Sequence, residues 1–268
     1  MEKKYDIIVA DPSGNITIMV LTPVDRNEYT QVAQMLLDNK KLKGEQVAFM
    51  LPDGSSEYPS MEMCGLEFCG NASRAFALYK AMQGEPAANE ITVNVSGCNK
   101  PLNAVVDVQT GCVEMDMPIP TGFREFSAEE LRLGKNGLLV TLDGIAHLIL
   151  QDVPPMKETF EDLRHYIYET YDADMPAFGV MFYDTCNQMM TPVVYVKDVD
   201  TTYFEGSCAS GTLAAAYAVG TTKEDGTHEF TMQQPGGVLN AKVVKKDGRI
   251  ENIYLNGPIT LSDVITIG

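Results

Sequence analysis

The alternation of apolar and polar residues along the chain predicts mainly short β-strands. Segments rich in β-branched residues recur between Gly, Pro, Asn and Asp residues, which is the pattern of strands separated by turns. The predicted strands are Tyr5–Ala10, Ile16–Leu21, Gln46–Leu51, Glu90–Val95, Leu102–Asp107, Cys112–Met117, Leu138–Leu142, His147–Gln151, Val193–Val196, Val238–Lys245 and Ile250–Leu255.

Helical spacing of apolar residues is rarer. Asn27–Asn39 and Lys157–Tyr171 each place apolar side chains three and four residues apart, as in an amphipathic helix. Two further predicted helices, Asn71–Met82 and Ser210–Gly220, are rich in Ala, and each begins just after a cysteine.

The starts of these two Ala-rich helices share a sequence pattern. Residues 68–75 read FCGNASRA and residues 207–214 read SCASGTLA, so a cysteine precedes small or polar residues that can cap a helix. The two cysteines, Cys69 and Cys208, are 208 − 69 = 139 residues apart, about half the chain. This spacing predicts two similar domains, residues 1–118 and 119–268, with the last strand free to return to the first domain.

A cysteine at a helix N-terminus lies beside unpaired backbone N–H groups and the positive end of the helix dipole. We therefore expect lowered thiol pKa values at Cys69 and Cys208. Two such sulfurs on opposite faces of one carbon could remove a proton from one face and deliver a proton to the other, which inverts the carbon. The N–H groups of the same helices could hold a substrate carboxylate.

Composition and charge narrow the class of protein. The chain has 268 residues, 45% of them apolar and 21% charged, which excludes a disordered protein. Its net charge of −17, without a Lys/Arg cluster, argues against nucleic-acid and membrane partners. The apolar stretch near the N-terminus, Ile7–Ala10, is too short for a signal peptide or a membrane span, so we expect a cytoplasmic protein.

The remaining cysteines and the histidines favour structural interpretations. Cys64, Cys98, Cys112 and Cys186 are expected to be small apolar side chains of the fold, and no further Cys or His pair completes a zinc site, so we predict no metal.

Each histidine has a similarly ordinary expectation. His147 lies in an apolar strand and is expected to be a core residue. His165 is predicted on the polar side of a helix, and His228 in a charged loop. The run Pro235–Gly237 is typical of a tight turn rather than a phosphate-binding loop.

The first cysteine segment resembles the Cys-Gly-Asn-Gly-x-Arg signature of the diaminopimelate epimerase superfamily, and residues 208–212 resemble its second signature, Cys-Gly-Thr-Gly. Matches in the same order cover nearly the whole chain. They are residues 13–15 (SGN), residues 44–46 (GEQ), His147, residues 235–239 (PGGVL) and residues 257–258 (GP).

The resemblance implies an α/β (α+β) fold of two pseudo-symmetric domains, each a curved, mostly antiparallel sheet around a central helix. It implies cofactor-independent amino-acid racemisation, without pyridoxal phosphate, in which Cys69 and Cys208 are the acid/base pair acting on a free amino acid. It leaves room for a homodimer. The substrate-binding residues that it implies are Asn15, Gln46, Gly70, Asn71, Ala209 and Ser210.

Two departures from the family pattern bear on the substrate. Ile145 replaces an Asn of the family, and the Glu-Arg pair ahead of the second cysteine is absent, although these groups hold the distal end of diaminopimelate. Residues 64–69 and 205–212 are more similar to the histidine racemase branch of the superfamily.

Several functions stay open at this point: a histidine-racemase-like enzyme, diaminopimelate epimerase, and an isomerase related to those of phenazine biosynthesis. Outside the isomerases, the alternatives are a cysteine hydrolase using Cys208 with His147, and an amino-acid-binding protein without catalysis.

Overall fold

The computed structural model describes residues 3–84, 89–197 and 200–268. The chain divides into two compact units, of which the first comprises Met1–Asp116 and Leu255–Gly268 and the second Met117–Tyr254. The chain passes back into the first unit within one strand, β16 (Arg249–Pro258). Both units are mixed α/β, with extensive sheet and few helices.

The first unit is built on a sheet that starts at the N-terminus. β1 pairs antiparallel with β2 and with two C-terminal strands, β17 and β18, so both chain ends share this sheet. Pairing then runs from β2 through β7, parallel for β2 with β3 and β4 with β5, and antiparallel for the other pairs. The elements are β1 (Tyr5–Asp11), β2 (Thr17–Val20), a 3-10 turn (Arg26–Glu28), α1 (Tyr29–Asp38), β3 (Gln46–Met50), β4 (Ser60–Met63), α2 (Gly70–Met82), β5 (Glu90–Val95), β6 (Leu102–Asp107), β7 (Cys112–Asp116), β17 (Thr260–Leu261) and β18 (Ile265–Ile267).

The two helices of this unit pack differently. α1 buries one face, since Tyr29, Val32, Ala33 and Leu36 recur at helical spacing, and the Tyr29 ring stacks on Phe49 with 3.8 Å between ring centroids. α2 is buried on almost every side and contacts β1, β2, β5, β6 and β7. Its small residues allow this close approach, so the first turn of α2 has a fixed position.

The second unit also surrounds a buried helix. Antiparallel pairing links β8 to β9 and β9 to β10, α4 connects the parallel strands β10 and β11, and β12 pairs with β11, β13 and β14. α5 is mostly buried and contacts β9, β10, β11, β14 and β15. The elements are β8 (Gly122–Phe126), α3 (Ala128–Leu131), β9 (Gly137–Leu142), β10 (Ile145–Gln151), α4 (Lys157–Thr170), β11 (Ala177–Asp184), β12 (Met189–Val196), β13 (Thr201–Phe204), α5 (Ala209–Thr221), β14 (Gly226–Gln234) and β15 (Gly237–Lys246).

The four predicted helices are confirmed with ends within two residues, and each predicted strand overlaps an observed one. The pattern misses several strands, among them β11, a continuous apolar run, and β14, whose residues are mostly polar and exposed. The prediction that His228 lies in a loop is therefore wrong, because it belongs to β14. His165 is exposed on α4, and Pro235 and Gly236 form the turn between β14 and β15, as predicted.

Candidate active site

Cys69 is the N-cap residue of α2. Its backbone is extended, with φ −130° and ψ 108°, and its sulfur accepts a hydrogen bond from the backbone N–H of Ala72 at 3.5 Å. The Ser73 hydroxyl donates to the Cys69 carbonyl at 2.7 Å, which fixes the first turn from the other side. The sulfur thus lies at the positive end of the helix dipole.

Cys208 caps α5 in nearly the same way, with φ −126° and ψ 112°. Its sulfur accepts from the Gly211 N–H at 3.4 Å, and the Thr212 hydroxyl donates to its carbonyl at 2.7 Å. Gln234, at the end of β14, accepts from the Cys208 N–H at 2.8 Å and donates to the Thr212 hydroxyl at 2.9 Å. The sequence similarity of the two segments therefore corresponds to the same local geometry in each unit.

Two of the predicted substrate residues of the first unit contact each other, and one of them, Gln46, also contacts Cys69. The Cys69 thiol donates to Gln46 Oε1 at 3.3 Å, and Gln46 Nε2 donates to Asn15 Oδ1 at 2.5 Å. The structure therefore joins Asn15, Gln46 and Cys69 in one hydrogen-bonded group. Gly70 and Asn71, both buried, are the first two residues of α2.

The environment of Cys208 is more enclosed. Cys208 is 6% exposed, and its sulfur lies 3.5 Å from the Ser210 hydroxyl oxygen. Burial, followed by the carboxylate of Glu205, holds the pKa of the Cys208 thiol well above its ordinary value, and the hydrogen bonds from Ser210 and Gly211 do not offset this. The expectation of a lowered pKa is therefore wrong for Cys208. Ala209 and Ser210 form the first turn of α5, the former buried and the latter partly exposed.

His147 lies behind this helix start as a fully buried residue. Its Nε2 forms a hydrogen bond with Ser210 Oγ at 2.8 Å, so the serine hydroxyl lies between the imidazole and the Cys208 sulfur. Burial lowers the pKa of His147 to about 3, which keeps the ring neutral. Its Nδ1 has no hydrogen-bond partner among the described residues, and Gly179 on β11 makes room for it, since an added Cβ would lie 2.4 Å from Nδ1. This matches the expected core histidine more closely than the direct Cys–His contact of a cysteine hydrolase.

Several residues that shape the site have weak sequence signals. Gln234 lies 26 residues from Cys208, and only the fold brings the two together, whereas Glu205 lies just ahead of Cys208 in the sequence. Arg74, the last residue of the first signature, is fully buried and donates to the carbonyls of Val113 at 3.3 Å and Gly257 at 2.7 Å. Burial lowers its pKa to about 10, so it stays a cation at neutral pH and ties α2 to β7 and the C-terminal segment.

The other chemistry-bearing groups form no second centre. All six cysteines are free, and Cys64, Cys98 and Cys112 are partly buried while Cys186 is exposed. No three His, Cys, Asp or Glu side chains within the described ranges are arranged as ligands of a metal ion. Over the same ranges, no helix is both long enough and apolar enough to cross a membrane.

A family model and a curated relative both relate this chain to histidine racemases. The family model described as "Histidine racemase CntK N-terminal domain" matches residues 4–264. A histidine racemase of Fusobacterium nucleatum subsp. nucleatum is 31% identical over 267 residues, covering 96% of this chain and 94% of that protein.

Solved structures share the fold at low sequence identity. A phenazine biosynthesis protein of the PhzF family from Enterococcus faecalis has a TM-score of 0.62 at 15% identity, covering 99% of this chain and 100% of that one. A hydroxyproline epimerase from Agrobacterium vitis has a TM-score of 0.63 at 12% identity, covering 99% of this chain and 91% of that one. These likenesses support the mixed α/β fold.

Proposed function

The chain belongs to the histidine racemase family and is therefore an isomerase, and from this premise we propose that it interconverts L- and D-histidine without a bound cofactor. The observation that carries the proposal is the pair of cysteine-capped helix starts, Cys69 on α2 and Cys208 on α5, built with nearly the same dihedral angles and with equivalent hydrogen bonds to the sulfur.

In the proposed mechanism the two cysteines work on opposite faces of Cα. One sulfur, as thiolate, removes the α-proton, and the other, as thiol, delivers a proton to the opposite face, so the roles exchange when the reaction runs in reverse. An amino-acid Cα–H is a weak acid. Without an electron-accepting cofactor, the negative charge that develops must be stabilised by fixed donors, and N–H groups at the two helix starts supply them.

The same N–H groups are proposed to hold the substrate carboxylate, with Gly70 and Asn71 contributing from α2 and Ala209 and Ser210 from α5. Ile145 supports histidine over diaminopimelate. It packs against the apolar cluster that contains Cys208 and Met181, in a position where a diaminopimelate site would need an amide to bind the distal charges.

Chiral chromatography of a substrate panel tests the proposal. The purified protein is incubated in turn with L-histidine, LL-diaminopimelate, L-proline and L-glutamate, with no pyridoxal phosphate added. We expect D-histidine to form and the other amino acids to react far more slowly. Preferential epimerisation of diaminopimelate would replace the proposed substrate, and tight histidine binding without any Cα exchange would indicate a binding protein.

The organisation of the molecule is part of the proposal. We interpret the two units as related halves, on the evidence of their matching helix starts, and a homodimer stays a prediction. Sedimentation velocity at micromolar protein concentration distinguishes a 29.4 kDa monomer from a species of twice that mass.

A further inference from the structure

A chain of hydrogen bonds runs from a surface carboxylate to the Cys69 sulfur within the first unit. Asn15 Nδ2 donates to Glu45 Oε2 at 3.4 Å, Gln46 Nε2 donates to Asn15 Oδ1 at 2.5 Å, and the Cys69 thiol donates to Gln46 Oε1 at 3.3 Å. The resemblance to racemases implies substrate contact for Asn15 and Gln46, whereas here the two side chains bond to each other, Asn15 also to Glu45 and Gln46 also to Cys69.

The donor and acceptor roles along these hydrogen bonds follow from Glu45, the residue farthest from Cys69. Partial burial raises the pKa of the Glu45 carboxyl, and the hydrogen bond from Asn15 lowers it; as a carboxylate, Glu45 offers only acceptor atoms to Asn15. Asn15 must therefore turn its NH₂ group toward Glu45, which leaves its oxygen facing Gln46. Gln46 must therefore donate from its own NH₂ group to that oxygen, and this leaves the Gln46 oxygen facing the Cys69 sulfur.

The contacts of Thr17 are compatible with the same orientation of the Gln46 amide. This residue is fully buried, its hydroxyl donates to the Asn15 carbonyl at 3.4 Å, and its oxygen accepts from Gln46 Nε2 at 2.7 Å. Turning the Gln46 amide over would place its oxygen against another acceptor, Asn15 Oδ1, and would cost that hydrogen bond, whereas the Thr17 hydroxyl can rotate to donate instead of accepting. The orientation of the Gln46 amide is thus set by the contacts that run from Glu45 through Asn15.

A carbonyl oxygen facing the sulfur can be satisfied only if the sulfur carries hydrogen. We propose that the Glu45–Asn15–Gln46 chain holds Cys69 as a thiol while the site is empty and fixes the direction of its S–H bond, so that Gln46 is a positioning residue for Cys69. The proposal rests on the proposed acid/base role of Cys69. It goes beyond that role by naming the groups that set the protonation state of this cysteine.

Two substitutions at Gln46 with opposite expected effects test the chain. The apparent pKa of Cys69 is measured from the pH dependence of its alkylation by iodoacetamide, with mass spectrometry locating the modified residue. In Gln46→Leu the acceptor is lost, and the pKa of Cys69 should fall by about half to one pH unit, the equivalent of one ordinary hydrogen bond. In Gln46→Glu a carboxylate faces the sulfur, and the pKa of Cys69 should rise. A general loss of packing around the site would not shift the pKa of Cys69 in opposite directions in the two variants.

Glu45→Gln tests the far end of the chain and leaves the buried residues unchanged, so it remains informative if a Gln46 variant does not fold. The new amide allows Asn15 and Gln46 to turn, and we expect the pKa of Cys69 to fall by less than in Gln46→Leu. Glu57→Gln removes one exposed negative charge from the same unit and should leave the pKa of Cys69 unchanged. Equal pKa values in wild type, both Gln46 variants and Glu45→Gln would overturn the proposal.

Steady-state kinetics separates positioning from substrate contact. For Gln46→Leu we expect a reduced kcat and a shifted pH profile, with KM within about twofold of wild type; a raised KM with an unchanged kcat and pH profile would overturn the proposal. The alkylation measurement needs no turnover. If the wild-type protein racemises no amino acid, the proposed function fails. The pKa values of Cys69 in the variants still decide whether the hydrogen bonds from Glu45 to Gln46 control the protonation of Cys69.

Discussion

Gly211→Ala should destabilise the protein by forcing a methyl group into the first turn of α5. A Cβ at this position would lie 2.1 Å from the sulfur of Met181, 3.0 Å from its Cε and 3.2 Å from its Cγ. Met181 is fully buried on β11, so its flexible side chain can move only by shifting against packed neighbours. Either the methionine must leave its preferred rotamer or the helix start must shift.

The cost of such overpacking is about 1–3 kcal/mol in well-packed cores. For a chain of this size we expect the apparent melting temperature to fall by about 2 to 12 °C. Activity should fall further than stability alone explains, because the Gly211 N–H donates to the Cys208 sulfur at 3.4 Å and a displaced helix start weakens that contact.

Gly122→Ala is a matched control in the same unit, since nothing lies within 4 Å of the Cβ it would add. Differential scanning fluorimetry of both variants at one protein concentration measures the difference, and circular dichroism confirms that both are folded. If Gly211→Ala melts together with Gly122→Ala, Met181 has freedom to move, and the explanation of why glycine occupies this position is wrong.

Three further predictions follow from burial. Burial lowers the pKa of His147 to about 3, so the stabilising contribution of the neutral ring is present above about pH 6.5 and is lost as the pH falls toward 3. The urea midpoint of unfolding should therefore drop more between pH 7 and pH 4 in wild type than in His147→Gln, and equal drops would contradict this. Iodoacetamide should modify the exposed Cys186 faster than the buried Cys208 in peptide mapping, and the reverse order would show that Cys208 is accessible. The rate of racemisation should increase from pH 7 toward alkaline pH, because burial and Glu205 raise the pKa of Cys208, whereas a maximum below pH 6 would exclude a thiolate there.

The two helix starts could be predicted from the sequence because each depends on neighbouring residues. A cysteine followed by small, polar and then Ala-rich residues contains both the cap and the helix, and α2 and α5 begin one residue before the predicted positions. The hairpin turn at Pro235 and Gly236 is local in the same sense. Features that depend on a few consecutive residues can therefore be predicted without a structure.

Features that depend on distant residues were not predictable. The pKa of Cys208 is raised chiefly by burial, which depends on residues distant in the sequence, so reasoning from the helix dipole alone gives the wrong sign. Gln46 and Asn15 could be selected from the family resemblance, but their contact with each other, and the involvement of Glu45, depend on β2 and β3 lying side by side. The sequence pattern does not predict strand β14, because its residues are mostly polar.

Hydrogen isotope exchange at Cα tests the two-cysteine mechanism most directly. L-histidine is incubated in D₂O with wild type, Cys69→Ser and Cys208→Ser, and deuterium is measured in each enantiomer at early times. Two bases on opposite faces predict that wild type forms D-histidine carrying deuterium while the remaining L-histidine keeps its protium, and that each variant, still folded, loses at least about 100-fold in racemisation. Racemisation at the wild-type rate in either variant, or deuterium entering both enantiomers equally from the start, would contradict the mechanism.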